Sequence, residues 1–120
     1  MKYITIIYGN KDLWQSFTPD AATKAIAEVN EFNRRYKESG ELIGAYGLGD
    51  ELTAKTVRVR DGVPAVTDGP YIEAKEFVSS LFLLDVDSED RALAIAAEYP
   101  FASQNAVEVW PILHESSAEM

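Results

Sequence analysis

Ionisable side chains crowd one short stretch of this chain, "TDGPYIEAKE" from Thr67 to Glu76. Asp68, Glu73, Lys75 and Glu76 surround an Asp-Gly-Pro turn that needs only its Gly and Pro to form. Two readings follow. In the first, Asp68 is architecture: its carboxylate accepts from nearby backbone N–H groups, Gly69 permits an unusual φ, and Pro70 fixes the exit. In the second, Asp68 is a catalytic acid or base, raised in pKa behind the turn. An ion pair with Lys75 would orient a ligand. Glu73 and Lys75 share one face of an extended segment and Glu76 takes the other. Exposed salt-bridge partners are the plainer account of Glu73 and Lys75.

Other chemistry-bearing residues are sparse. Arg58 and Arg60 alternate in "KTVRVR" and share a face that could bind an anion or simply meet solvent. Arg58, Tyr71, Glu73, Lys75 and Glu76 are therefore the candidate ligand-binding residues, with Asp68 the candidate catalytic one. His114 is the lone histidine, in a polar tail and without neighbouring ligand types, so no metal site is expected. Tyr3, Tyr8, Trp14, Tyr46, Tyr71 and Trp110 could line a pocket or serve as core. There is no Gly-x-Gly-x-x-Gly, P-loop, Gly-x-Ser-x-Gly or His-Glu-x-x-His pattern, and no cofactor is expected.

The elements that position these residues are legible from their patterning. Residues 2–8, "KYITIIY", read as a strand, and "GNKDLWQSF" as a loop. A helix follows, with Thr18 as N-cap, Pro19 at N1 and Gly40 just past its end. Its apolar stripe is Ala22, Ala25, Ile26, Val29, Phe32 and Tyr36. "ELIGAYGLG" reads as a second strand with glycine-marked bulges. Residues 55–60 and 63–67 form a hairpin about Asp61-Gly62. "FVSSLFLLDVD" reads as a central strand, "SEDRALAIAAEYP" as a second helix capped by Ser88, and "AVEVWPIL" as the last strand.

This order gives an α+β chain: a ferredoxin-like split βαβ with an inserted β-hairpin. Two helices cover only one face of a four-stranded sheet, so the other apolar face calls for a second copy, and a homodimer is expected. Residues 1–113 form one domain and 114–120 a frayed tail. The chain has 120 residues, 47 % hydrophobic, with 20 acidic and 11 basic side chains and a net charge of −9. That charge repels phosphate backbones and disfavours nucleic acid, so no nucleic-acid partner is expected. The absence of cysteine excludes disulfides and thiolate chemistry. No signal segment or membrane span is recognised, which reads as a cytoplasmic protein.

The chain resembles the YCII-related proteins, and within them the DGPF-domain branch. The resemblance rests on "MKYITIIYG", "EFNRRYKESGELIGAYGL", "TVRVRDG", "VTDGPYIEAKE" and "AVEVWPI", with Tyr71 in place of the usual Phe. It implies a ferredoxin-like fold assembled as a dimeric α/β barrel, a bacterial source, and a genetic association with extracytoplasmic-function sigma factors. Smaller members of the family are thought to use a His–Asp pair with the histidine on the first helix. Here that region holds Val29, Asn30 and Glu31, so of such a pair only Asp68 remains. Two functions stay open: a dimeric small-molecule-binding or accessory protein, or a cofactor-independent isomerase, lyase or monooxygenase using Asp68, with Arg58 or Lys75 stabilising charge.

Overall fold

The computed structural model describes residues 1–71 and 76–116. In chain order the elements are β1 (Lys2–Asn10), α1 (Lys11–Gln15), α2 (Pro19–Glu38), β2 (Leu42–Gly47), a 3-10 turn (Glu51–Thr53), β3 (Lys55–Arg60), β4 (Val63–Asp68), β5 (Glu76–Asp85), α3 (Glu89–Ala97) and β6 (Val107–Pro111). Four strands form an antiparallel sheet in the order β2-β5-β1-β6. With the β3–β4 hairpin set aside, this is the split βαβ order.

Local chemistry sets the boundaries. The Thr18 hydroxyl accepts from the Ala21 N–H, Pro19 occupies the first helical position, and Asp20 faces the positive end of α2. Ser88 caps α3 by accepting from Arg91 N–H. In the hairpin, Asp61 (φ 52°) and Gly62 (φ 77°) both take positive φ, as a two-residue primed turn requires. The segment "GNKDLWQSF", expected to be a loop, instead carries α1. The Asn10 carboxamide accepts from the N–H groups of Asp12 (2.8 Å) and Leu13 (3.4 Å) and starts that helix.

The core lies between the sheet and the helices α2 and α3. Tyr3, Thr5 and Ile7 from β1 alternate into it and meet Phe82 and Leu84 of β5, Phe32 and Tyr36 of α2, and Ile95 of α3. The helix side is pinned to β2 by an ion pair: Arg91 donates to Glu41 through Nε (2.7 Å) and through a terminal nitrogen (2.9 Å). The opposite sheet face is mostly apolar, holds the Glu108 carboxylate between Tyr8 and Trp110, and carries no helix among the described residues. Register places Ile4, Ile6 and Tyr8 of β1 there, beside Leu83, Leu81 and Val78 of β5. Trp110 of β6 and Tyr46 of β2, each 54 % exposed, complete it. The hairpin belongs to a sheet of its own, and every residue of β4 is exposed.

Among the described residues no helix is long and apolar enough to cross a membrane, and no group of acidic or histidine side chains is placed to hold a metal ion.

Candidate functional site

One large cavity, about 1000 Å³, opens between α2 and the covered face of the sheet. That is the size of a small-molecule site. It exists because the α2 stripe changes character along its length. Phe32 and Tyr36 are large and reach the sheet; Ala22 and Ala25, two to three turns earlier, do not. Ile26, expected in the core, is 62 % exposed for the same reason.

Aromatic rings from separate segments line the gap. Phe17 stacks on Phe101 (centroids 6.0 Å apart), and Trp14 meets both edge-on at 5.5 and 5.2 Å. Phe101 touches Tyr99 (6.0 Å), which stacks on Phe82 (5.6 Å). All five rings line the cavity. Trp14 can approach β1 because residue 9 is glycine. A Cβ there would lie 2.9 Å from the indole nitrogen and 3.0 Å from Ser79 Cβ.

Among the residues lining this cavity, Lys11, Tyr8, Tyr99 and Asp50 each have a partner. Lys11 pairs with Glu51 at 2.9 Å, which pushes its pKa up. The Tyr8 side chain turns away to the open sheet face, where its hydroxyl donates to Glu108 Oε1 at 2.7 Å, and that hydrogen bond, more than burial, raises its pKa. Burial raises that of Tyr99, and a hydrogen bond with Ser80 partly offsets it. Asp50 accepts from Leu52 N–H at 2.9 Å and caps the 3-10 turn. At neutral pH the Tyr8 and Tyr99 phenols are therefore un-ionised.

The residues singled out by type and spacing lie elsewhere. Asp68 ends β4 with its side chain 85 % exposed, and its carboxylate is ion-paired with Lys55 across the hairpin. Its turn is held by the backbone: Gly69 adopts φ 90°, its N–H donates to Ala54 O at 2.7 Å, and its carbonyl accepts from Thr56 Oγ1 at 2.7 Å. Arg58 lies over the Tyr71 ring at 5.5 Å, so the structure brings these two candidates together. Strand alternation puts Arg58 and Asp68 on opposite faces of the hairpin, however, because Lys55 pairs with Asp68 and Arg58 with Ala65. Glu76 is exposed at the start of β5. Glu73 and Lys75 lie outside the described residues. None of Arg58, Asp68, Tyr71 and Glu76 is among the cavity-lining residues.

Of the six aromatics singled out by sequence, Trp14 lines the cavity, Tyr8 and Tyr46 border it while register turns their rings to the open face, Tyr3 is core, and Tyr71 and Trp110 are exposed. Phe17, Tyr99 and Phe101 were not flagged. The available signal was "EYPF" at the end of α3, two rings bracketing a helix-stopping proline.

Comparison with known proteins matches this architecture to a family. A model of the YCII-related domain matches residues 1–116. The chain belongs to the YCII-related family. A relative within it, an uncharacterised protein of Rhizobium meliloti (strain 1021), is 28 % identical over 114 residues, covering 93 % of this chain and 92 % of its own. Among solved structures, the chain is similar to the 5-chloro-2-hydroxyhydroquinone dehydrochlorinase of Burkholderia phenoliruptrix AC1100, in complex with 2,5-dihydroxybenzoquinone. That likeness has a TM-score of 0.56 at 13 % identity, covers 96 % of each chain, and concerns the fold.

Proposed function

We propose that this YCII-related chain, of the DGPF type, is a small-molecule-binding protein that holds its ligand in the cavity between α2 and the sheet. The observation that carries this reading is the ring-lined cavity of about 1000 Å³ whose lysine is ion-paired and whose buried Tyr99 is un-ionised. Such a lining retains a ligand without offering a free lysine or a phenolate. An accessory or regulatory role fits binding without turnover.

The assembly that completes the protein is a homodimer, with the open sheet faces packed into an α/β barrel. Its support is the run of apolar side chains on a face no helix covers, which a lone chain would leave in water. Sedimentation tests it. The wild-type chain is expected at twice its mass of 13.3 kDa, and Trp110→Glu on the open face is expected at the single mass. A wild-type monomer at micromolar concentration contradicts the assembly.

A second reading, a cofactor-independent enzyme, draws support from the solved neighbour, a dehydrochlorinase crystallised with a quinone. It assigns the proton transfer to Asp68, with Arg58 or Lys75 stabilising charge. It requires turnover that Asp68→Asn abolishes while binding persists. Binding that survives both Asp68→Asn and prolonged incubation, with the ligand recovered unchanged, decides for the binder.

A further inference from the structure

We infer that the ligand is an uncharged planar aromatic compound of about two fused rings, carrying a hydrogen-bonding substituent directed at Asn30 and Asn33. This rests on the binding role of the cavity and adds the chemistry of what enters it.

Three observations support it. The first is the lining itself: Phe17, Trp14, Phe101, Tyr99 and Phe82 form an unbroken series of ring contacts along the cavity. A flat π-system can add to such a series by offset stacking or edge contact, with an attraction beyond the area it buries. A saturated compound of the same size gains the area alone.

The second is charge. The basic side chain among the described lining residues is Lys11, and the acidic one is Asp50. Glu51 neutralises the first, and the second is exposed, caps its own turn through one oxygen and lies near enough to Lys11 to help raise the lysine's pKa. A ligand anion would find no unpaired cation here, within a chain of net charge −9. A ligand cation would find a single carboxylate among these residues, Asp50, exposed and already beside the Lys11 charge.

The third is polarity at one place. Asn30 and Asn33 line the cavity from α2, three residues apart and so on one helix face. Asn33 is half-buried and Asn30 exposed, and among the described residues neither side-chain amide has a hydrogen-bond partner. A carboxamide both donates and accepts, so it suits a hydroxyl or carbonyl on the ligand.

The test uses the full chain with Trp110→Phe, which leaves Trp14 as the sole indole and reads its fluorescence on titration. Four probes of equal framework separate the terms: 2-naphthol, 2-naphthoate, decahydro-2-naphthol and trimethyl(2-naphthyl)ammonium. The expected result is saturable quenching by 2-naphthol with at least ~10-fold tighter binding than the other three, about 1.4 kcal/mol. Asn33→Leu is expected to weaken 2-naphthol several-fold while leaving unsubstituted naphthalene unaffected. Tight binding of the saturated or a charged probe, abolished by the cavity-filling Ala25→Trp, overturns the ligand class and leaves the cavity as a binding site. Failure of every probe to bind, with the variant melting cooperatively, overturns both.

Discussion

Replacing Ala25 by leucine asks whether the gap under α2 is a cavity or merely loose packing, and the sign of the effect gives the answer. Ala25 is half-buried on the α2 face that lines the gap. Leucine adds three carbons, and full burial of each would stabilise by ~0.8 kcal/mol, for a ceiling of roughly 2.4 kcal/mol. The gap opens to solvent and half of the new surface stays wet, so the expected gain is about 1 kcal/mol. For a domain of this length that raises the melting temperature by roughly 4 °C. In a filled core the same change would overpack and cost ~1–3 kcal/mol. Thermal and urea unfolding measure the difference, with an unchanged urea slope confirming that the unfolded state is unaltered. A fall in stability greater than about 1 kcal/mol would refute the cavity and everything built upon it. A gain in stability joined to a loss of probe binding is the trade-off expected where a fold leaves space for a ligand.

Other perturbations reach different parts of the argument. Thr5 is fully buried and its hydroxyl has no hydrogen-bond partner among the described residues, so Thr5→Val is expected to stabilise by ~1 kcal/mol in urea titrations; destabilisation would mean that the hydroxyl is satisfied after all. The Arg91 hydrogen bonds, followed by that from Ser39, hold the Glu41 carboxyl below its usual range. A lowered folded pKa contributes stability above the unfolded value, near 4.3, and loses it as pH falls through the folded value. The stability gap between wild type and Glu41→Gln is therefore expected at pH 6 and should close toward pH 3; a gap independent of pH contradicts the pairing. Asp68 and its partner Lys55 are both exposed, so Asp68→Asn is expected to change stability by less than ~0.5 kcal/mol at neutral pH, and a loss above ~1 kcal/mol would mean that the carboxylate supports the turn. Gly9→Ala is expected to displace the Trp14 indole and shift its emission in a Trp110→Phe chain, since the new Cβ meets the ring at 2.9 Å.

How much could be read beforehand depended on how local the cause was. The ends of α2 were legible because Thr18, Pro19 and Gly40 act on the backbone beside them. The hairpin followed from Asp61-Gly62, whose positive φ values fix the turn and hence the register of β3 against β4. Helix α1 was missed because five residues carry no readable period, and only the Asn10 cap marked its start. The cavity was invisible for a different reason. Ala25, Ile26 and Val29 fit a core stripe as well as a cavity wall, since period reports which side of a helix faces inward and not how far away the opposing surface stands. The ring series was hidden likewise: its members come from residues 14–17, 82 and 99–101, and only the tertiary fold brings them together.

The Asp-Gly-Pro motif and the cavity then separate into two problems. Gly69 at φ 90° accounts for the middle of the motif, because a residue with a Cβ would be strained there. The turn is fastened by Ala54 and Thr56 through backbone groups of Gly69, not through the Asp68 carboxylate. That carboxylate points into solvent beside Lys55, on a hairpin whose valines are exposed as well, Val57 and Val66 among them. A two-stranded hairpin with one apolar face is marginal by itself in water. Its charges and valines therefore belong together as one surface, with Lys55, Val57, Val59, Pro64, Val66 and Asp68 on the same face by register. The cavity needs none of them. Removing the Asp68 charge should leave probe affinity at the Trp14 wall unaltered, whereas closing the gap at Ala25 should abolish it. If instead Asp68→Asn weakened probe binding, the hairpin and the cavity would be one site, and the acid–base reading of Asp68 would regain its footing.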